Sequence, residues 1–173
     1  MADNWNDQIA AVWEDDALSD EERIRVIDAL AATLPFNDPR GLFERGGARD
    51  AAGLEHDAIP LYLAALRGGL GEYERAQAVI QLASSYRNIG SSAEAVRLLE
   101  TELANPAATL RPETAVFLAL SYASAGTPER GLALLMRTMA PTLTMYQRSV
   151  NAYADHLDAT GDMPTANTGE TGP

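Results

Sequence analysis

The sequence predicts an all-α fold in which similar helix-turn-helix units stack on one another. Three observations carry this reading. Glycines at 53, 90 and 126 stand 37 and 36 residues apart. Each follows an apolar run of helical period and precedes, after a short polar cap, a second such run. No segment makes a convincing strand, with two-residue alternation between turn residues.

The elements follow in chain order. Trp5, Ile9, Val12 and Trp13 mark a short helix at the start. Their stripe either packs on the repeat core or forms a homodimer seam with a second copy, since left exposed it would be an unusually large apolar patch. Ser19 to Glu22 is a capping box that opens an amphipathic helix through Ile24, Ile27, Leu30, Ala31 and Leu34. The first repeat unit carries Leu42 and Gly46 ahead of Gly53, then Ala58, Leu61, Tyr62 and Ala65. The second has Val79, Leu82, Ala83 and Tyr86, then Val96, Leu99 and Leu103; the third has Ala115, Leu118, Ala119 and Tyr122, then Leu132, Leu135 and Met139.

Glycine suits the stop between paired helices because a left-handed residue there satisfies the last carbonyls, and side chains with a Cβ resist that conformation. Ser91 to Glu94 then offers a capping box and Thr127-Pro128 an N-cap with proline in the first turn. Thr144 to Gln147 can cap a last helix bearing Val150, Tyr153 and Leu157, which would close the stack with a solvated face. From Ala159 to Pro173 no periodic apolar face remains, and disorder is expected. The chain thus divides into one domain, residues 1–158, with repeats near 39–72, 76–109 and 112–145, and a tail, 159–173.

Composition narrows the function. A chain of 173 residues fits one domain. The absence of cysteine excludes disulfides, thiolate metal sites and a cysteine nucleophile. All thirteen basic residues are arginine, so no P-loop lysine or Schiff-base lysine exists. The formal net charge of −12 opposes nucleic acid and anionic lipid, and no local basic patch offsets it. With no signal-like start and no run of about eighteen apolar residues, a cytoplasmic protein that neither enters membranes nor binds nucleic acid is expected.

The recurring small residue, glycine, alanine and large residue in each unit resemble the tetratricopeptide repeat. The set is Gly46, Gly53, Ala58 and Tyr62 in the first unit, Ala83, Gly90, Ala95 and Leu99 in the second, and Ala119, Gly126, Gly131 and Leu135 in the third. Gly131 stands where alanine is usual. The strings Phe43-Glu44, Asp50, Ala58 to Tyr62 and Gln81 to Gly90 further resemble a group of small bacterial proteins, the fifth tetratricopeptide-repeat group, over roughly 43–135. The resemblance implies a right-handed superhelix of about three helix pairs with extra N-terminal helices and a C-terminal capping helix. It also implies a concave wall, built chiefly from the first helix of each pair, that receives a protein or peptide.

On those first helices the faces not spent on packing carry Glu44 and Asp50, then Gln77, Gln81, Ser84, Arg87 and Asn88, then Glu113 and Ser124. Spacings of three, four and seven place at least three of the second set on one side of their helix. They form the expected partner-binding groove. Within it, Arg87 could instead pair with Asp50, and Asn88 could cap the helix end before Gly90. The carboxylate clamp of chaperone-tail binders is not expected, because its two positions hold Phe43 and Gly47, Ile80 and Ser84, and Val116 and Leu120. Catalysis and cofactors are not expected either. His56 and His156 belong to no metal-ligand spacing, and the acidic pairs Asp15-Asp16 and Glu21-Glu22 lie at helix starts, where anions favour the dipole. A protein-interaction module is the leading expectation, a homodimeric scaffold joined through Trp5, Ile9, Val12 and Trp13 the second, and a small-ligand sensor or enzyme the third.

Overall fold

The computed structural model describes residues 2–162; most of the expected tail, 163–173, lies outside them. Among the described residues there are nine α-helices and no strand. They are α1 (Ala2–Glu14), α2 (Asp20–Ala31), α3 (Pro39–Ala51), α4 (Glu55–Gly68), α5 (Glu72–Asn88), α6 (Ser92–Ala104), α7 (Arg111–Ser124), α8 (Pro128–Met139) and α9 (Gln147–Thr160). Helices α3/α4, α5/α6 and α7/α8 form three antiparallel pairs, and the second helix of each pair packs on the first of the next. Helix α5 opens at Glu72, four residues ahead of the expected second unit, because Gly69, left-handed at φ +87°, ends α4 early.

All three inter-helix glycines adopt positive φ: 71° at Gly53, 83° at Gly90 and 85° at Gly126. After each, the next amide reaches back to the helix it leaves: Leu54 N–H to Arg49 O, Ser91 N–H to Tyr86 O and Thr127 N–H to Tyr122 O. This is the same left-handed cap three times over. It also explains why two expected caps are not made. Ser19, with ψ 160°, is extended and accepts from Glu22 N–H in a complete capping box. Ser91 and Thr127 leave their glycines with ψ near 52° and 57°, and neither side chain caps its helix. The Thr144 cap is likewise absent, since α9 starts from Tyr146 in the left-handed region. Helix α2 ends at Ala31 rather than reaching Leu34, as Pro35 disfavours helical backbone in the residue before it.

The small positions are where paired helices touch. A Cβ at Gly46 would lie 2.8 Å from the Tyr62 ring, and one at Gly131 2.8 Å from the Ala119 carbonyl oxygen. The second contact explains why glycine stands at 131: the backbone of α7 leaves no room for a methyl group. Helix α9 repeats the first-helix pattern a fourth time, with buried Ala154 seven residues before Gly161, whose φ is +70°. Its outer face carries Arg148, Asn151 and His156, all exposed, which fits a helix that closes the stack against solvent.

At the other end Trp5, Ile9 and Val12 are buried with Ile27 and Ala48, and the Trp5 indole N–H donates to Leu30 O at 3.0 Å. Of the two readings of this stripe, packing on the core and a homodimer seam, the chain makes the first: α1 finds a ready apolar face on α2 and α3.

One buried ion pair ties the second unit together. Glu102 on α6 is 3% exposed and receives both terminal nitrogens of Arg75 from α5, at 2.6 and 2.8 Å. Removing only the cation leaves a carboxylate without compensation in a site where water cannot replace it. Arg75→Met is expected to cost about 3 kcal/mol, and Arg75→Met with Glu102→Leu to recover most of that. Chemical denaturation of the three proteins checks it; equal stabilities for the single and double variants would show that the stranded charge is not the cause.

Candidate functional site: a groove floored by the first repeat helix

Two recesses open along α3. One, of about 450 Å³, is lined by Trp5, Asn6, Ile9 and Ala10 of α1, Arg40, Phe43 and Glu44 of α3, and Tyr73, Glu74 and Gln77 of α5. The other, of about 410 Å³, is lined by Trp13, by Phe43, Glu44, Gly47, Asp50 and Ala51, and by Gln77 and Gln81. Phe43, Glu44 and Gln77 belong to both, so the recesses join into one groove with α3 as floor and α1 and α5 as walls. From Arg40 to Ala51 it runs roughly 16 Å at the helical rise per residue.

Four expected groove residues, Glu44, Asp50, Gln77 and Gln81, thus come together. Ser84, Arg87 and Asn88 do not line it, nor do Glu113 and Ser124, which lie exposed on α7. The Arg87–Asp50 pair is not formed. Asp50 Oδ1 instead accepts from the hydroxyl of Ser85, at 2.7 Å. Ser85 lies two residues before Arg87, about 200° around α5, so when one faces α3 the other faces away. Asn88 does not cap its helix; its amide donates to Glu55 Oε1 at 3.2 Å.

The side chains are fixed from beneath. Phe43 and Tyr62 pack with ring centroids 6.1 Å apart. Tyr62 is fully buried, and its hydroxyl donates to Gln81 Oε1 at 2.6 Å. The Trp13 indole N–H donates to Glu44 Oε2 at 2.7 Å, while the Arg23 guanidinium covers a face of the same indole, 5.7 Å from the ring centroid. Gly47 keeps the recess open, because a Cβ there would point between the Trp13 ring, 3.3 Å away, and Gln81 Oε1, 3.8 Å away.

Within the groove, two half-buried carboxylates stand without an arginine. Of the other acidic side chains, Asp20, Asp28, Asp38, Glu100, Glu102, Asp155 and Asp158 meet an arginine, and most of the remainder are exposed. Glu44, Asp50 and Glu74 form no ion pair among the described residues. Burial pushes the Glu44 carboxyl above its usual range, and the Trp13 hydrogen bond only partly opposes this. Burial also raises Asp50; the Ser85 hydroxyl holds it partly down while the charge of Glu55 pushes it further up. Burial, then Asp50 and Glu44, raise the Tyr62 phenol, so it stays a neutral donor. Arg40, at the far end, is held by Asp38 at 2.9 and 3.1 Å and lies over the Trp5 ring. The groove therefore presents carboxylate and amide oxygens on an aromatic floor, with no cation between Glu44 and Asp50.

A family model described as the tetratrico peptide repeat matches residues 39–157. The chain belongs to the tetratricopeptide-repeat family. The match covers the three helix pairs and most of α9, and it is to the fifth group of that family. No curated protein and no solved structure matches the chain. Repeats of this family mediate protein–protein interaction, and no helix among the described residues is long and apolar enough to cross a membrane.

Periodicity alone does not assign Trp13, Gly47 or Ser85 to the groove; Trp13 reads as part of the core or seam stripe of the first helix. Gly47 directly follows the small position at 46, and Ser85 sits in an apolar stripe, so each reads as packing until the partner helix is in place.

The raised Glu44 fixes a sign for stability. Above its folded pKa the carboxylate is charged in both states, and burying that charge costs stability. As pH falls through the folded pKa the cost shrinks, and below the unfolded value it is gone. Glu44→Gln keeps an oxygen for the Trp13 N–H and removes the charge. It is expected to stabilise the tetratricopeptide protein by about 1 kcal/mol at neutral pH, or ~2–4 °C in Tm. The gain should fade towards a pH of about 4. Thermal melts at the two pH values check this, and identical melts at neutral pH would show that burial does not penalise Glu44.

Proposed function

We propose that this protein is an interaction module that binds a segment of another polypeptide in the groove between α1, α3 and α5. The observation that carries the reading is the groove's make-up: a concave, aromatic floor on which Glu44, Asp50 and Gln81 are held by hydrogen bonds to buried or half-buried residues. Groups held in place before binding lose little freedom on contact, which is where affinity is gained. A width set by three helices and a length of roughly 16 Å suit about five residues of extended chain, at about 3.3 Å each. Gln77 and Gln81 can both donate to and accept from a peptide backbone, as an extended ligand requires.

The test places a photo-crosslinking amino acid at Gln77, on the groove wall, and at Glu94, exposed on α6, in the full chain, and irradiates each in lysate of the source cells. The expected result is one polypeptide crosslinked from position 77 and not from 94. Equal labelling from both positions, or from neither, would defeat the groove as the binding surface.

A further inference from the structure

We infer that the bound segment places an arginine or lysine side chain in the recess between Trp13, Gly47 and Gln81, with its cationic head between the carboxylates of Glu44 and Asp50. This deepens the proposed function and rests on the groove being the partner surface.

The argument is charge complementarity inside a shaped cavity. Among the buried and half-buried acidic side chains, Asp28, Asp38 and Glu102 are met by the protein's own arginines, whereas Glu44 and Asp50 on the groove floor have none, and Glu55, outside the groove, has only the Asn88 amide. Glu44 accepts from the Trp13 indole, and Asp50 accepts from the Ser85 hydroxyl with the Tyr62 hydroxyl also close by, so lone pairs remain on both carboxylates. Gly47 leaves beside them the one stretch of floor without a side chain, bounded by the Trp13 ring on one side and Gln81 Oε1 on the other. A long aliphatic stem fits along the indole and Phe43, as arginine and lysine stems do on apolar surfaces. A guanidinium or ammonium then meets donors' natural acceptors: two carboxylates and an amide oxygen. Binding would draw both raised carboxyl groups back towards their ordinary range, so the charge that costs stability in the free protein becomes useful in the complex. Of the chain's own cations beside the groove, Arg23 stacks on Trp13 and does not line the recess, and Arg40 at the far end is held by Asp38.

The test selects a display library of random short peptides against the full chain, against Glu44→Gln and against Asp50→Asn, each variant first confirmed as folded by its melt. Selected peptides are then compared with versions in which arginine is replaced by citrulline, which keeps the shape and removes the charge. The expected result is enrichment of arginine or lysine at one position with the wild type, loss of that enrichment with either variant, and about tenfold weaker binding of the citrulline peptide. Affinity should also fall as salt rises. Citrulline peptides that bind as well as arginine peptides, enrichment that survives both substitutions, or selection of no peptide would overturn the inference. Crosslinking from position 77 separates the two levels: a partner captured there without basic enrichment ends the basic-residue inference and leaves the groove standing, whereas failure of both ends both.

Discussion

The Tyr62 ring can lie against α3 only because position 46 has no side chain: any Cβ there would meet the ring at 2.8 Å. That contact sets how closely α3 and α4 approach, and so the height of the floor on which Phe43, Glu44 and Asp50 stand. It also sends the Tyr62 hydroxyl through the pair towards α5, where it fixes Gln81. A packing rule of the repeat and the chemistry of the groove therefore share one residue. The ring fills the hole left by a glycine while the hydroxyl orients an amide of the site, and neither role survives without the close approach of the helices.

What the sequence made legible follows from which constraints are local. A left-handed stop needs glycine wherever it occurs, so Gly53, Gly90 and Gly126 announce the helix pairs by themselves. The small positions at 46, 83 and 119 are similarly forced, and Glu44, Asp50, Gln77 and Gln81 follow because a helix face is known once its buried stripe is known. Choosing partners across helices is a different problem. A shift of two residues turns a side chain through about 200°, which is all that separates the expected Arg87–Asp50 pair from the observed Ser85–Asp50 hydrogen bond. Nor does periodicity say where a terminal helix will lie. The tryptophans of α1 fit a core or a seam equally well as a stripe; only the position of Leu30 O and of Glu44 decides that both indoles turn inward.

The same inward turn gives α1 a second consequence. Repeat pairs alone would leave α3 as the open edge of the concave wall. With α1 packed against α2 and α3, the edge gains a rim carrying Trp5, Ile9 and Trp13, and a shallow face becomes a groove with two sides. The N-terminal helix thus completes the core of the first unit and shapes the recess in front of it, so its apolar stripe needs no second copy to be accounted for.

Net charge alone would not locate a site in this chain, because acidic residues outnumber arginines 25 to 13 and most of the excess is solvated. Position is what distinguishes Glu44 and Asp50. A solvated carboxylate costs the fold almost nothing, whereas these two are partly withdrawn from water, raised in pKa by that withdrawal, and still left without a cation. Helix packing does not require them. Glu44 could be glutamine and keep its indole partner, and the Ser85 hydroxyl needs an acceptor but not a charged one. A concave, low-dielectric wall concentrates the field of such charges in the space it encloses. The free protein bears that cost at the one place where an incoming cation would relieve it.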